Sequence, residues 1–256
     1  MSWNAKQYSL FEAERTRPVR DLLAAIDPPH VRTAADIGCG PGNSTEMLQA
    51  RFPDAVIRGI DSSTDMLAAA RQRLPGIQFD RVDISTWGDP GPYDTILANA
   101  VLQWVPDHRR TISRLVSKLS KGGILAIQMP YNLDEPVHVL MREIAKDGPW
   151  APQIGSLGES RITREKPQWY WSLLSEQCAK VDIWLTTYYH VLPGGVGQIV
   201  EWFKGTSLQI FLDPLADQAR ASYLERYRNA LMNAYPENRD GSVILPFPRL
   251  FITGTR

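Results

Sequence analysis

The stretch Asp36-Ile37-Gly38-Cys39-Gly40-Pro41-Gly42 constrains this chain more than any other. It follows a short apolar run, residues 33–37, and precedes a segment with helical spacing, residues 43–52, in which Met47, Leu48 and Phe52 fall near one face. Three glycines in five positions open dihedrals closed to other residues and let a ligand approach the main chain with no Cβ in the way. The helix behind them offers unpaired N–H groups at its start. The spacing is G-x-G-x-G, which is neither the G-x-G-x-x-G of dinucleotide-binding turns nor a Walker loop, since no Gly-Lys-Ser/Thr follows. A strand, a glycine turn and a helix open a βαβ unit, so the chain is expected to build a parallel sheet covered by helices.

The segments downstream keep that rhythm. Strands are expected at residues 55–60, 77–82, 93–99 and 124–129, with Gly122-Gly123 turning into the last. Helices are expected from an N-cap at Ser63 to residue 74, where Pro75-Gly76 stops the chain, and over residues 107–119. Residues 8–27 read as a leading helix. After Pro130 the pattern is less regular: residues 132–175 mix helical pieces with Pro, Gly and Trp, and residues 181–192 are strand-like. Helices follow near 198–203 and 215–234. Residues 243–253 return as a strand whose two prolines, Pro246 and Pro248, suggest a place near an edge or a bulge.

Charge and cysteine usage narrow the function classes. Lys plus Arg number 28 and Asp plus Glu number 28, a balance unlike that of a general phosphate-backbone binder. No apolar run approaches the ~18 residues of a membrane span, and the start lacks the apolar region of a secretory signal. Cys39 and Cys178 make neither a disulfide framework nor a zinc set, and His30, His108, His138 and His190 lack metal-ligand spacing. A small-molecule partner in the cytoplasm, with no nucleic acid, membrane or metal, is the expectation; nothing in the sequence sets an oligomeric state.

Four expected strand ends carry polar chemistry at one edge of the sheet: the glycine loop, Asp61, Asp83-Ile84 and Asn99. Open α/β sheets bind ligands at that carboxyl edge, and an acid at the end of the second strand accepts hydrogen bonds from ribose hydroxyls. On residues 34–42, Gly59-Ile60-Asp61-Ser62, Val82-Asp83-Ile84, residues 93–107 and Lys121-Gly122-Gly123, the chain resembles the S-adenosylmethionine-dependent class I methyltransferases. The resemblance implies a Rossmann-like α/β fold: a seven-stranded, mostly parallel sheet with one antiparallel strand, helices on both faces, and a helical lid insertion. It implies one methyltransferase domain over residues 1–256, with an N-terminal helical segment (1–30), a cofactor core (31–130), helical capping segments (131–178 and 194–240) and closing strands (179–193 and 243–256). It also implies S-adenosyl-L-methionine as cofactor. Gly38, Gly40 and Gly42 would admit its methionine part, Asp36 would position its amino group, and Asn99 and Ala100 would lie near that end. Asp61 would bind the ribose, Ser62 and Met66 would flank the adenine, and Asp83 and Ile84 would frame it.

A narrower resemblance covers nearly the whole chain. Trp3-Asn4 and Tyr8, residues 14–18, Leu102-Gln103-Trp104-Val105, Trp202 with Lys204-Gly205-Thr206, and residues 245–251 are similar to the trans-aconitate methyltransferases within that family. They imply methyl transfer to a carboxylate of a small tricarboxylate. An ionised carboxylate is already a nucleophile, so no general base is required and no catalytic residue is assigned. The substrate trianion calls for Arg with aromatic or hydroxyl donors: Tyr8, Arg17, Trp104, Tyr131, Arg161, Trp171 and Arg249. Each has an ordinary reading beside the functional one. Ser62 serves equally as a helix cap, Met66 as core, Arg17 and Arg161 as solvated surface, and Cys39 as a small loop residue. Competing functions are methylation of another small molecule at carbon, nitrogen or hydroxyl oxygen, and a cofactor-binding module without catalysis.

Overall fold

The computed structural model describes residues 12–28, 30–158 and 164–256. Its elements run α1 (Glu12–Ala24), β1 (Thr33–Ile37), α2 (Asn43–Arg51), β2 (Val56–Asp61), α3 (Thr64–Arg73), β3 (Gln78–Arg81), β4 (Tyr93–Asn99), α4 (His108–Ser117) and β5 (Leu119–Pro130). Then come α5 (Pro136–Lys146), α6 (Ala151–Ile154), α7 (Pro167–Ser175), β6 (Lys180–Leu192), α8 (Gly195–Lys204), α9 (Gln209–Leu212), α10 (Asp217–Ala234) and β7 (Val243–Thr255).

The seven strands form one sheet in the order β3-β2-β1-β4-β5-β7-β6. β1 to β5 pair in parallel and β7 is antiparallel to β5. Ala34, Ala35 and Ile37 of β1, and Ile96, Leu97 and Ala98 of β4, are buried on both faces, as central strands covered by helices must be. From β1 the chain moves to one side through β2 and β3, then returns to place β4 on the other side of β1. The reversal makes the gap beyond the ends of β1 and β4 the place where such sheets hold ligands.

One expectation about strands holds and one is corrected. β7 lies between β5 and the edge strand β6, near an edge as expected. Its prolines are tolerated because the β5 register begins only at Pro130↔Arg249, so Pro246 and Pro248 precede that ladder and withhold no donor from it. Gly122-Gly123 lie inside β5 rather than before it. Between Tyr93↔Leu119 and Thr95↔Ile124, β4 advances two residues while β5 advances five, a bulge that Gly122 accommodates at φ +79°. The helices keep their expected positions: Ser63 caps α3 by accepting from the Met66 N–H, and Asp107 caps α4 by accepting from the Arg110 N–H at 2.9 Å.

The chain divides into two compact units, residues 1–130, 163–186 and 249–256, and residues 131–162 and 187–248. The division separates the aromatic middle segment: α5 and α6 belong to the second unit and α7 to the first. Within the second unit, α10 turns Tyr223, Tyr227 and Leu231 inward at four-residue spacing, one helical turn apart. The Tyr223 and Tyr227 hydroxyls donate to the carbonyls of Met141 and Val137, each at 2.9 Å, and so tie α10 to α5.

Candidate active site

The loop after β1 is stapled to the end of β2, where the Gly38 and Cys39 N–H groups donate to the Ile60 carbonyl at 2.8 and 2.9 Å. Its three glycines all have positive φ but meet different surroundings. A Cβ on Gly38 would stand 2.4 Å from the Val101 side chain, and one on Gly42 3.3 Å from Ala70 Cα of α3. A Cβ on Gly40 would meet nothing within 4 Å. Gly38 thus lets the loops after β1 and β4 touch, Gly42 lets α3 pack under the start of α2, and Gly40 leaves its main chain open. Cys39 points away into a cluster of Leu67, Ala70 and Phe79, and burial pushes its thiol far above the ordinary range. A protonated, packed thiol is no nucleophile.

The three acids at the strand ends are anchored differently. Asp36 is completely buried, and its Oδ2 accepts from the Ser44 and Thr45 hydroxyls at 2.7 and 2.6 Å. Its Oδ1 is buried with no hydrogen-bond partner among the described residues. Burial raises its pKa to about 6 against the lowering pull of the two hydroxyls. Asp61 accepts from the Gly40 N–H at 3.0 Å and from the Ser63 N–H at 2.8 Å, joining the glycine loop to the start of α3. Asp83 is exposed; it accepts from the Ser85 hydroxyl and N–H at 2.6 and 2.7 Å, and these bonds lower its pKa.

A cavity of about 410 Å³ opens among these strand ends. Of the residues singled out from the sequence, Gly38, Gly40, Asp61, Ser62, Met66, Asp83, Ile84, Ala100 and Trp104 line it. Asp36, Gly42 and Asn99 are not in its lining: the first lies beneath α2, the second packs on α3, and the third ends β4 with its Oδ1 buried and without a partner among the described residues. Ser62 faces the cavity while its neighbour Ser63 does the capping. Ala100 is the one described non-glycine residue with a positive φ, +52°, and its N–H donates to the Gln128 carbonyl at 2.8 Å. That turn throws the chain from the end of β4 into the wall formed by Val101, Trp104, Val105 and Pro106.

The remaining substrate candidates are dispersed. Tyr8 and Arg161 lie outside the described residues. Arg17 is exposed on α1, Trp171 is exposed on α7, and Tyr131 begins the second unit, its N–H donating to the Pro248 carbonyl at 2.8 Å. Arg249 is 4% exposed and donates from Nη1 to Gln128 Oε1 at 3.3 Å. Gln128 is itself fully buried and was not singled out from the sequence. The registers Asp36↔Leu97, Asn99↔Gln128 and Pro130↔Arg249 put Asp36, Asn99, Gln128 and Arg249 on one face of the sheet, an acid on β1 and a guanidinium on β7.

Other residues that the sequence did not mark hold the cavity's rim. Arg114 of α4 donates to the carbonyls of Ile84 and Ser85 and so pins the short turn that follows Asp83. Only its helical position facing the third strand end would have signalled this. Val101 looks in sequence like any apolar residue after a strand.

A parallel sheet reversing at β1/β4, with a glycine loop, three acids and an aromatic wall at its carboxyl edge, defines a Rossmann-like methyltransferase. Residues 35–125 match the family described as "Methyltransferase domain". A solved structure of the YcgJ protein of Bacillus subtilis covers 94% of this chain and 98% of its own at 14% identity with a TM-score of 0.59. Haemonchus contortus phosphoethanolamine N-methyltransferase 2, solved with S-adenosyl-L-methionine, covers 94% of this chain and 52% of its own at 15% identity with a TM-score of 0.54. The trans-aconitate 2-methyltransferase of Rhodopseudomonas palustris (strain BisB18) is 49% identical over 254 residues, 99% of each chain. The chain belongs to the trans-aconitate 2-methyltransferase family.

Proposed function

We propose that the chain transfers a methyl group from S-adenosyl-L-methionine to a carboxylate of trans-aconitate, giving the monomethyl ester and S-adenosyl-L-homocysteine. The observation that carries the reading is identity of 49% over 99% of both chains with a protein of that name, on a sheet whose switch-point cavity has carboxylate acceptors and open main chain suited to such a cofactor. The fit rests on three features of the site. Asp36, outside the cavity lining, keeps one buried carboxylate oxygen without a partner among the described residues, and it would reach the cofactor's ammonium group through an intervening water. Gly40 presents open main chain, and Asp61 has accepting capacity beyond its two backbone bonds for a ribose diol. When bound, S-adenosyl-L-methionine supplies an electrophilic methyl group on a sulfonium.

The chain's own task is placement. A carboxylate is ionised at neutral pH and attacks in line, so no proton has to move. The wall formed by Val101, Trp104, Val105 and Pro106 orients the acid and excludes water from the cavity of the first unit. Arg249, with Arg17, Arg161, Tyr8, Tyr131 and Trp171 as further candidates, supplies charge and donors to the other carboxylates. The acid on β1 and the guanidinium on β7 favour a cationic donor at one end of the face and a polyanion at the other. No described helix is long and apolar enough to cross a membrane, and both cysteines are free, which supports a cytoplasmic setting.

The test is transfer of labelled methyl to trans-aconitate, citrate, cis-aconitate and isocitrate. The reading expects preferential labelling of trans-aconitate, released as methanol by mild alkali. Alkali-stable label would indicate methylation at carbon, nitrogen or hydroxyl oxygen instead. Absence of label with all four acids would overturn the substrate.

A further inference from the structure

His108 is the first residue of α4, only 4% exposed, and absent from the cavity lining. Its Nε2 lies 2.7 Å from the Leu102 carbonyl and its Nδ1 2.7 Å from the Tyr170 hydroxyl of α7, all within the first unit. A carbonyl can only accept, so Nε2 carries the hydrogen, and in the neutral ring Nδ1 is the acceptor. The Tyr170 hydroxyl therefore donates to Nδ1 while accepting from the Glu165 N–H at 3.2 Å. The order of bonds is fixed from the Glu165 backbone through Tyr170 and His108 to Leu102. The Leu102 carbonyl also accepts from the Val105 N–H at 2.9 Å, so both its lone pairs are used.

Leu102 begins the one-turn helix Leu102–Trp104, and Val101, Trp104 and Val105 around it form the cavity wall. Leu102 is fully buried and Trp104 is 39% exposed, so the turn is held from behind and presents its indole forward.

We infer that His108 is a positioning residue for the substrate: with Tyr170 it sets the Leu102–Trp104 turn and thereby where Trp104 meets the acid. The inference rests on the reading that Trp104 contacts the substrate. The neutral ring is the working form. Burial lowers its pKa below the ordinary value, opposed by the Leu102 bond and by the charges of Glu165 and Asp107, while Tyr170 faces it from α7. Protonation would put a hydrogen on Nδ1 and force the Tyr170 hydroxyl to turn, its other neighbour being Met129 Sδ at 3.8 Å.

Two amide replacements separate this role from bulk packing. His108→Gln reaches Leu102 with a donor placed like Nε2, whereas His108→Asn is too short to do so. His108→Asn and Tyr170→Phe are expected to raise KM for trans-aconitate about tenfold, the worth of one buried hydrogen bond. Affinity for S-adenosyl-L-homocysteine should stay within about twofold, and His108→Gln should recover most of the loss. In a Trp104→Ala background His108→Asn should add little. A full additional tenfold there, or equal loss of donor affinity, would overturn the positioning role while leaving Trp104 in place. An unchanged KM in Trp104→Ala alone would overturn the reading of Trp104, and the positioning role with it. If His108→Asn fails to fold, Tyr170→Phe against Trp104→Ala decides the question in the same way.

Discussion

Gly38 and Gly40 sit two positions apart with similar left-handed backbones, yet they answer to different constraints. At Gly38 the limit is internal, because Val101 occupies the space a side chain would need. At Gly40 the space is empty. Gly38→Ala is expected to cost about 2–4 kcal/mol of stability from backbone strain plus overpacking, and Gly40→Ala about 1 kcal/mol from strain alone. Binding should rank them differently: Gly40→Ala, although well folded, should lose donor affinity because its methyl points into the cavity. Urea unfolding and calorimetry on the two variants check this; equal losses of stability would contradict it. His108 shows the same lesson for a side chain. Its position relative to other histidines excludes a metal motif, but its tautomer and its hold on Leu102 follow only from three-dimensional neighbours.

At the scale of elements, residues 31–99 were legible because each strand end is punctuated. The glycine loop, Asp61 and Pro75-Gly76 mark boundaries that β1, β2 and α3 keep to within a residue or two. β7 was placed near an edge on its two prolines, and it is the penultimate strand of the sheet. Only the register shows that both precede the ladder to β5. Gly122-Gly123 misled: a glycine pair that usually ends an element here lets β5 bulge and continue. The acids and the glycine loop could be found because chemistry is tied to strand ends in this topology. Arg114, Gln128 and Val101 could not, since their roles depend on which helix or strand they face across the sheet. The middle segment resisted for a similar reason, as α7 packs with the first unit although α5 and α6, just before it in sequence, do not.

For the molecule as a whole, a formal charge of zero conceals two buried groups whose titrations oppose one another. Asp36, raised by burial from 3.8 to about 6, binds its proton more tightly folded than unfolded. Its contribution to stability is therefore fully present below about pH 4 and is lost as pH rises through about 6, leaving a cost on the order of 3 kcal/mol at neutral pH. His108, lowered by burial, behaves the other way: its neutral form costs nothing above 6.5, and stability falls as pH drops below that value. Asp36→Asn isolates the first effect. Its unfolding free energy relative to the parent is expected to fall by about 2 kcal/mol between pH 7.5 and pH 4.5, since there the folded parent gains a proton that the variant cannot. A difference that does not move with pH would contradict the buried, ionised Asp36. The charge at neutral pH has a function in this account: the proposed ammonium group, reached through water, would offset part of what its burial costs.

The donor site of the proposed reaction is the switch-point cavity, where Asp61 would hold the ribose. The most direct measurement is calorimetric titration of S-adenosyl-L-homocysteine into the parent chain and Asp61→Asn, with unfolding curves on both to separate binding from the Gly40 and Ser63 backbone bonds. The account predicts a loss of about 1–3 kcal/mol in binding, roughly 5- to 150-fold, in a variant that remains folded at the assay temperature. Unchanged affinity in a folded Asp61→Asn chain would contradict it and move the donor elsewhere.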